Sequence, residues 1–165
     1  MCGKEHISLD NADPGIYYNA PFAFIRLART SQKAVSLAEN LCLLLKSHPV
    51  WVDANTHDRW TAFSSHVPFL VSSAAVDYLP VEAAALVGSG FESLSRLAST
   101  PSSMMVDVLF SNREYILEAL EQFQNSLVVY KDLLSKEKYS EFCALLDLTR
   151  EKKANLAIQK KSTRS

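Results

Sequence analysis

The apolar positions change period along the chain. Residues 22–28, FAFIRLA, form a short alternating run with a β-branched residue, the pattern of a strand. From Ser31 the period lengthens. Ala34, Leu37, Ala38, Leu41, Leu44 and Leu45 recur at helical spacing, with Thr30 or Ser31 placed to cap the helix. His48-Pro49 is expected to end it, and residues 50–53, VWVD, read as a second short strand. Strand, helix and strand make one β-α-β unit, which normally belongs to a larger parallel sheet, because two strands alone are marginal. Ahead of it, residues 1–21 carry Gly, Pro, Asn and Asp without apolar period and read as loop.

Everything after Asn55 carries the helical period. Thr56 is placed to cap a segment from His57 to about Tyr78, which Pro68 must kink or break. Pro80 starts a fresh helix, PVEAAALVG, that Gly88 can close. GSGFESLSRLAST then reads as a loop entering a short helix. From Pro101 to Ser135 a long helix is predicted, with Val106, Leu109, Phe110, Tyr115, Ile116, Leu120, Phe123, Leu127 and Tyr130 on its apolar face. A final helix covers about Lys136 to Ile158. The long face exceeds what one small core needs. It points to an oligomer built on the helices, or else to a fully buried central helix.

Composition changes this picture little. Of 165 residues, 48% are apolar and 21% charged, the balance of an ordinary soluble globular protein, and the net charge of −1 gives no global reason to expect nucleic acid. The basic stretch Arg150–Ser165 lacks interleaved aromatics or a motif and reads as a solvated helix end. Cys2, Cys42 and Cys143 are odd in number and far apart, against a disulfide framework or zinc site and for a reducing compartment. No apolar stretch approaches the ~18 residues of a membrane span. The expectation is a cytoplasmic protein.

Four places carry candidate chemistry. GSGFES lacks the third glycine of a dinucleotide loop, holding Ser93 there, and no strand precedes it. His57-Asp58 lie at a helix start, but adjacent helical residues do not face each other, so they read as structural. Ser65 and His66, next to Pro68, are open to two readings: polar groups satisfied inside a kinked core helix, or part of a ligand site. Arg96, among small and apolar residues in SLSRLAST, needs an anionic partner, which Glu92 or a bound carboxylate could supply.

Taken together, three ordered blocks resemble the prephenate/arogenate dehydrogenases, the NAD(P)-dependent enzymes of tyrosine biosynthesis. MCGKEHISLDNA resembles the family's His-Pro-Met-x-Gly-x-Glu segment and the loop after it. THDRWTAFSSHVPFLVSSAAV resembles its His-Asp and Ser-His-Leu-Pro-His helix, and GSGFESLSRLASTPSSMMVDVLFSN its Gly-Phe-x-Asp-x-Thr-Arg-Ile-Ala block, followed by Pro, Met-Trp and a closing Asn. The resemblance covers nearly the whole chain.

It implies a mainly α fold: a helical dimerisation bundle like the C-terminal domain of 6-phosphogluconate dehydrogenase, over residues 55–165, after a β-α-β remnant of a Rossmann domain in residues 1–54. It implies a homodimer through the long helices, and prephenate or arogenate as substrate. The reaction is oxidative decarboxylation, in which hydride passes to NAD or NADP, carbon dioxide leaves and the ring becomes aromatic. By residue, it implies that Arg96 grips a substrate carboxylate, that Ser65 and His66 face the interdomain cleft, and that Glu5 stands at the cleft's mouth. The family's catalytic histidine would stand two residues before Met1. The chain alone is therefore expected to hold no catalytic residue and no cofactor, and to need a separate Rossmann domain. Phe69, Ser93 and Met105 stand where the family has histidine, aspartate and tryptophan. Phe69 marks either a preference for arogenate or decayed catalysis, and the three departures together with the missing cofactor domain favour the alternative of a non-catalytic helical dimerisation or interaction module.

Overall fold

A computed structural model describes residues 12–162. Glu5 and most of the N-terminal loop lie outside the described residues; within that loop, Pro14–Tyr17 forms a 3-10 turn capped by Asp13.

Strand β1 (Pro21–Ile25), helix α1 (Gln32–Leu45) and strand β2 (His48–Val52) form the expected unit, its strands parallel with Phe24 opposite Trp51. Ser31 caps α1 by accepting from the Ala34 N–H, while the Thr30 hydroxyl instead accepts from the Leu27 N–H. The helix ends differently from the sequence reading. Lys46 takes a left-handed conformation, φ 52°, and its N–H bonds back to the carbonyls of Cys42 and Leu43. The chain has therefore turned before His48, and His48-Pro49 belong to β2. Pro49 fits there because His48 donates its N–H to Ala20 on the β1 side, which turns the next nitrogen toward the outer edge. Stacked and tilted rings of Phe22, Phe24 and Trp51 cover one face of this small sheet.

The helical region opens with α2 (Ala54–Thr61), capped by Asp53 rather than Thr56: the Asp53 carboxylate takes both the N–H and the hydroxyl of Thr56. A π turn (Ala62–His66) joins it to α3 (Val67–Tyr78). The expected helix after Pro80 is a 3-10 segment, Val81–Leu86, between extended residues, and α4 (Ser89–Ser95) follows. A 3-10 turn (Arg96–Ser99) leads to α5 (Ser102–Ser111), α6 (Arg113–Ser135) and α7 (Tyr139–Ser162). The single long helix predicted from Pro101 is thus broken at Asn112, whose φ of −111° and ψ of 24° leave the helical region.

The core lies where α6 crosses the α2–α3 segment. Ala62, Val67, Ile116 and Ala119 are buried there, packed against Leu70, Val71, Leu109, Tyr115, Leu120 and Phe123. The apolar face foreseen for the single long helix therefore packs only in part: Leu109 of α5 and Tyr115, Ile116, Leu120 and Phe123 of α6 pack, whereas Phe110 of α5 and Leu127 of α6 stay exposed. Helix α7 meets α6 through an edge-on contact of Tyr130 with Phe142, centroids 5.9 Å apart, and a Tyr130–Thr149 hydroxyl bond. No described helix is long and apolar enough to cross a membrane.

Candidate functional site

Pro68 dictates the local form of the segment that carries Ser65 and His66. In a regular helix its ring would strike the carbonyl four residues back, at Ser64, and its nitrogen could not bond there. The chain absorbs this by widening the turn before it: Val67 donates five residues back, to the Ala62 carbonyl. The kink expected at Pro68 is therefore a π turn upstream of it, and that turn holds both candidate residues. The Ser64 hydroxyl donates instead to the Trp60 carbonyl.

His66 is 6% exposed, so the internally satisfied reading holds for at least one of its nitrogens. Its Nδ1 lies 3.1 Å from Asn112 Nδ2, and the same Nδ2 donates to the Asp58 carbonyl at 2.7 Å. Asn112, at the break between α5 and α6, thereby ties the π turn to α2. Sequence reasoning noted Asn112 only as the end of a motif, and its partners lie 54 and 46 residues away. Burial pushes His66 below the ordinary imidazole value of 6.5; the Asp58 carboxylate pulls it back and His57 adds to the depression.

The reading of His57 and Asp58 needs correction. They do meet, His57 Nδ1 lying 2.9 Å from Asp58 Oδ1. They stand in the middle of α2, where neighbouring side chains diverge, yet the two reach each other across that divergence. The hydroxyl of Thr61, the last residue of α2, donates to the carbonyls of both residues and fastens the C-terminal end of the helix.

Arg96 is also placed differently from expectation. It is exposed, because it opens the 3-10 turn after α4 instead of continuing a buried helical face. What fixes it is the turn itself. Ser72 of α3, 1% exposed, accepts the Ala98 N–H at 3.0 Å, and the Ser99 hydroxyl donates to the Arg96 carbonyl. Ser72 stands seven residues past Ser65, about 10 Å along the helix. The structure thus brings the Arg96 turn onto the helix that continues from Ser65 and His66. Of the departures from the family, Met105 is buried in α5, Phe69 half-buried and Ser93 exposed.

A separate cavity of about 650 Å³ opens where the strands end, between α1 and α2. Arg26, Glu39, Trp51, Asp53, Thr56 and Trp60 line it; Ser65, His66 and Arg96 do not. Its indole Trp51 Nε1 is buried without a hydrogen-bond partner. The two tryptophans flanking Asp53 were the sequence signal for this cleft, and it went unread. Thr56, through its hydroxyl and its N–H, holds the Asp53 carboxyl below the usual carboxylate range.

As for a nicotinamide cofactor, the β1–α1 connection, Arg26–Ser31, contains no glycine, and Gly88 at the N-cap of α4 and Gly90 in its first turn have no strand directly before them. The described residues do not form a pyrophosphate cradle. Among them there is also no group of three or more side chains able to hold a metal.

Known proteins give this arrangement a context. The family model described as "Prephenate dehydrogenase, dimerization domain" matches residues 53–148. The prephenate dehydrogenase of Lactococcus lactis is 31% identical over 133 residues, 77% of this chain and 36% of that protein. The Bacillus subtilis enzyme is 21% identical over 167 residues, 98% of this chain and 45% of that one. Among solved structures, Aquifex aeolicus prephenate dehydrogenase in complex with hydroxyphenyl propionate and NAD+ superimposes with a TM-score of 0.84 at 22% identity, covering 94% of this chain and 57% of that one. Synechocystis arogenate dehydrogenase gives 0.78 at 21% identity, covering 90% and 56%. The chain spans less than half the length of the two curated relatives.

Proposed function

The chain belongs to the prephenate dehydrogenase family through its dimerisation domain, and we propose that it is the substrate-gripping, dimer-forming portion of an enzyme that oxidatively decarboxylates prephenate or arogenate. In this reading residues 55–165 are the helical domain and 1–54 complete a nucleotide-binding domain whose cofactor loop lies elsewhere. NAD or NADP, held outside the described residues, would accept the hydride. The work left to this chain is to hold and orient the substrate, in a cytoplasmic enzyme.

One observation carries the substrate assignment: the Ser72–Ala98 hydrogen bond seats the Arg96 turn on the helix running from Ser65 and His66. A guanidinium so anchored can meet a carboxylate with two parallel N–H donors, a pairing worth about 1.5–3 kcal/mol. Both candidate substrates carry carboxylates. Ser65 and His66 would supply hydrogen bonds to the same ligand, and Glu5 would stand at the cleft's mouth.

The dimer assignment rests on surface. The chain exposes 12749 Å², whereas a compact monomer of its mass exposes about 8200 Å². Leu117, Leu127, Val128 and Leu134 on α6, with Leu146, Leu148, Leu156 and Ile158 on α7, contribute exposed apolar area to that excess. A homodimer through α6 and α7 would cover it.

The test is calorimetric titration of the chain with prephenate and with arogenate, repeated with Arg96→Ala. Expected is weak binding of one ligand that drops about tenfold or more in the variant, matching the loss of a charge-assisted pair. A folded dimer that binds neither ligand, with or without an added nucleotide-binding domain, would overturn the substrate assignment and favour the interaction module. Sedimentation of Leu127→Glu should give monomer where the parent chain gives dimer.

A further inference from the structure

We infer that Asn112 is a positioning residue that holds His66 as a neutral imidazole with its proton on Nε2, so that His66 meets a ligand as a hydrogen-bond donor. One atom beside Asn112 has a fixed role. The Asp58 carbonyl can only accept, and it already receives the Ala62 N–H and the Thr61 hydroxyl. The Asn112 atom 2.7 Å away must therefore be its amide nitrogen, since the amide oxygen there would face another oxygen. That nitrogen has a second hydrogen, and its other neighbour is His66 Nδ1 at 3.1 Å. Nδ1 must offer its lone pair, which leaves the ring proton on Nε2.

The same geometry resists charging the ring. A proton on Nδ1 would set N–H against N–H, with both residues at 8% exposure or less. The charged groups acting on the ring are both on α2: Asp58, which favours protonation, and His57, which opposes it. Asp58 is itself engaged by His57 Nδ1 at 2.9 Å, which divides its pull between two imidazoles. No described residue hydrogen-bonds Nε2. A ring held this way cannot take a proton from a substrate at Nε2, and it cannot pair as a cation with a carboxylate. It can donate one hydrogen bond to a carbonyl, hydroxyl or carboxylate oxygen. That last clause rests on the substrate-site reading above; the tautomer does not.

Nitrogen-15 NMR of the histidine- and asparagine-labelled full chain tests the assignment without any ligand. Expected at neutral pH is an unprotonated Nδ1 and a protonated Nε2 for His66, with a nitrogen–nitrogen coupling across the bond to Asn112. Asn112→Ala should mix the tautomers and raise the His66 titration midpoint, and Asn112→Asp should move the proton to Nδ1, strengthening proton binding about tenfold. Circular dichroism checks that each variant folds. A proton on Nδ1 in the parent chain, no coupling to Asn112, or a folded Asn112→Ala with unchanged tautomer and midpoint would overturn the inference. Because the parent chain alone supplies the first two readouts, a variant that fails to fold does not shield it. Failure here would leave Arg96-dependent binding standing, and failure of that binding would leave the tautomer standing.

Discussion

The β1–α1–β2 unit and the α2–α6 helical region are held in opposite ways. In the first, most polar bonds outside the sheet ladder are local: Ser31 to Ala34, Lys46 to Cys42 and Leu43, Thr30 to Leu27. In the second, the decisive bonds reach across the chain, from Asn112 to Asp58 and His66, from Ala98 to Ser72, and from Arg59 to Glu118. A helix satisfies its own backbone, so its side chains are free to tie elements together. A two-stranded sheet does not, and each strand here keeps one edge without a strand partner among the described residues. Stability should therefore reside in the cross-linked helices, and association at the unpaired strand edges and exposed apolar faces.

Truncating a core side chain should separate the two regions most strongly. Ile116→Ala, at a position 5% exposed, should cost about 3 kcal/mol, read by urea denaturation of the helical signal. Amide exchange of the β1–α1–β2 unit should change far less than that of α6. If both slow and fast amides shift together, the two regions are one cooperative unit.

Next comes Ser72→Ala, which orphans the Ala98 N–H and should cost about 1–2 kcal/mol, with the largest gain in exchange confined to the Arg96–Ser99 turn. Titration supplies a third test. Burial lowers the His66 pKa in the folded chain below its unfolded value of 6.5, so the unfolded state binds the proton first. The resulting stability is present above that value and is lost as pH falls through it toward the folded pKa. A denaturation series from pH 8 to pH 5 should show this loss in the helical signal, and His66→Gln should flatten it. The smallest effect is expected from Ser31→Ala, about 1 kcal/mol on α1, seen as faster exchange at its first turn.

The same contrast explains what the sequence could disclose. Local devices were legible: the periods of α1 and α6, the Ser31 cap, and the disturbance that Pro68 imposes. Asn112 was not, because FSNREY contains no proline or glycine, and the break answers to acceptors on α2 and the π turn. The 3-10 form of Val81–Leu86 was equally hidden, since its alanines suit a full helix and only the extended residues on either side, Pro80 and Val87, stop it. Arg96 was expected in apolar surroundings because its neighbours are apolar; exposure is decided by the turn that Ser72 anchors. The family resemblance names Ser65, His66 and Arg96 together, and it could not state which nitrogen of His66 is engaged.

The cleft between α1 and α2 has one further consequence. The chain has two tryptophans, and both Trp51 and Trp60 line that cleft. Its tryptophan emission is therefore a local optical probe. It should report the opening or filling of the junction between the sheet and the helices, while remaining nearly blind to events at α7. Fluorescence quenching by acrylamide should distinguish the two rings, the half-buried Trp51 being protected and the 60% exposed Trp60 accessible. Any domain that docks over the strand ends would announce itself first in that light.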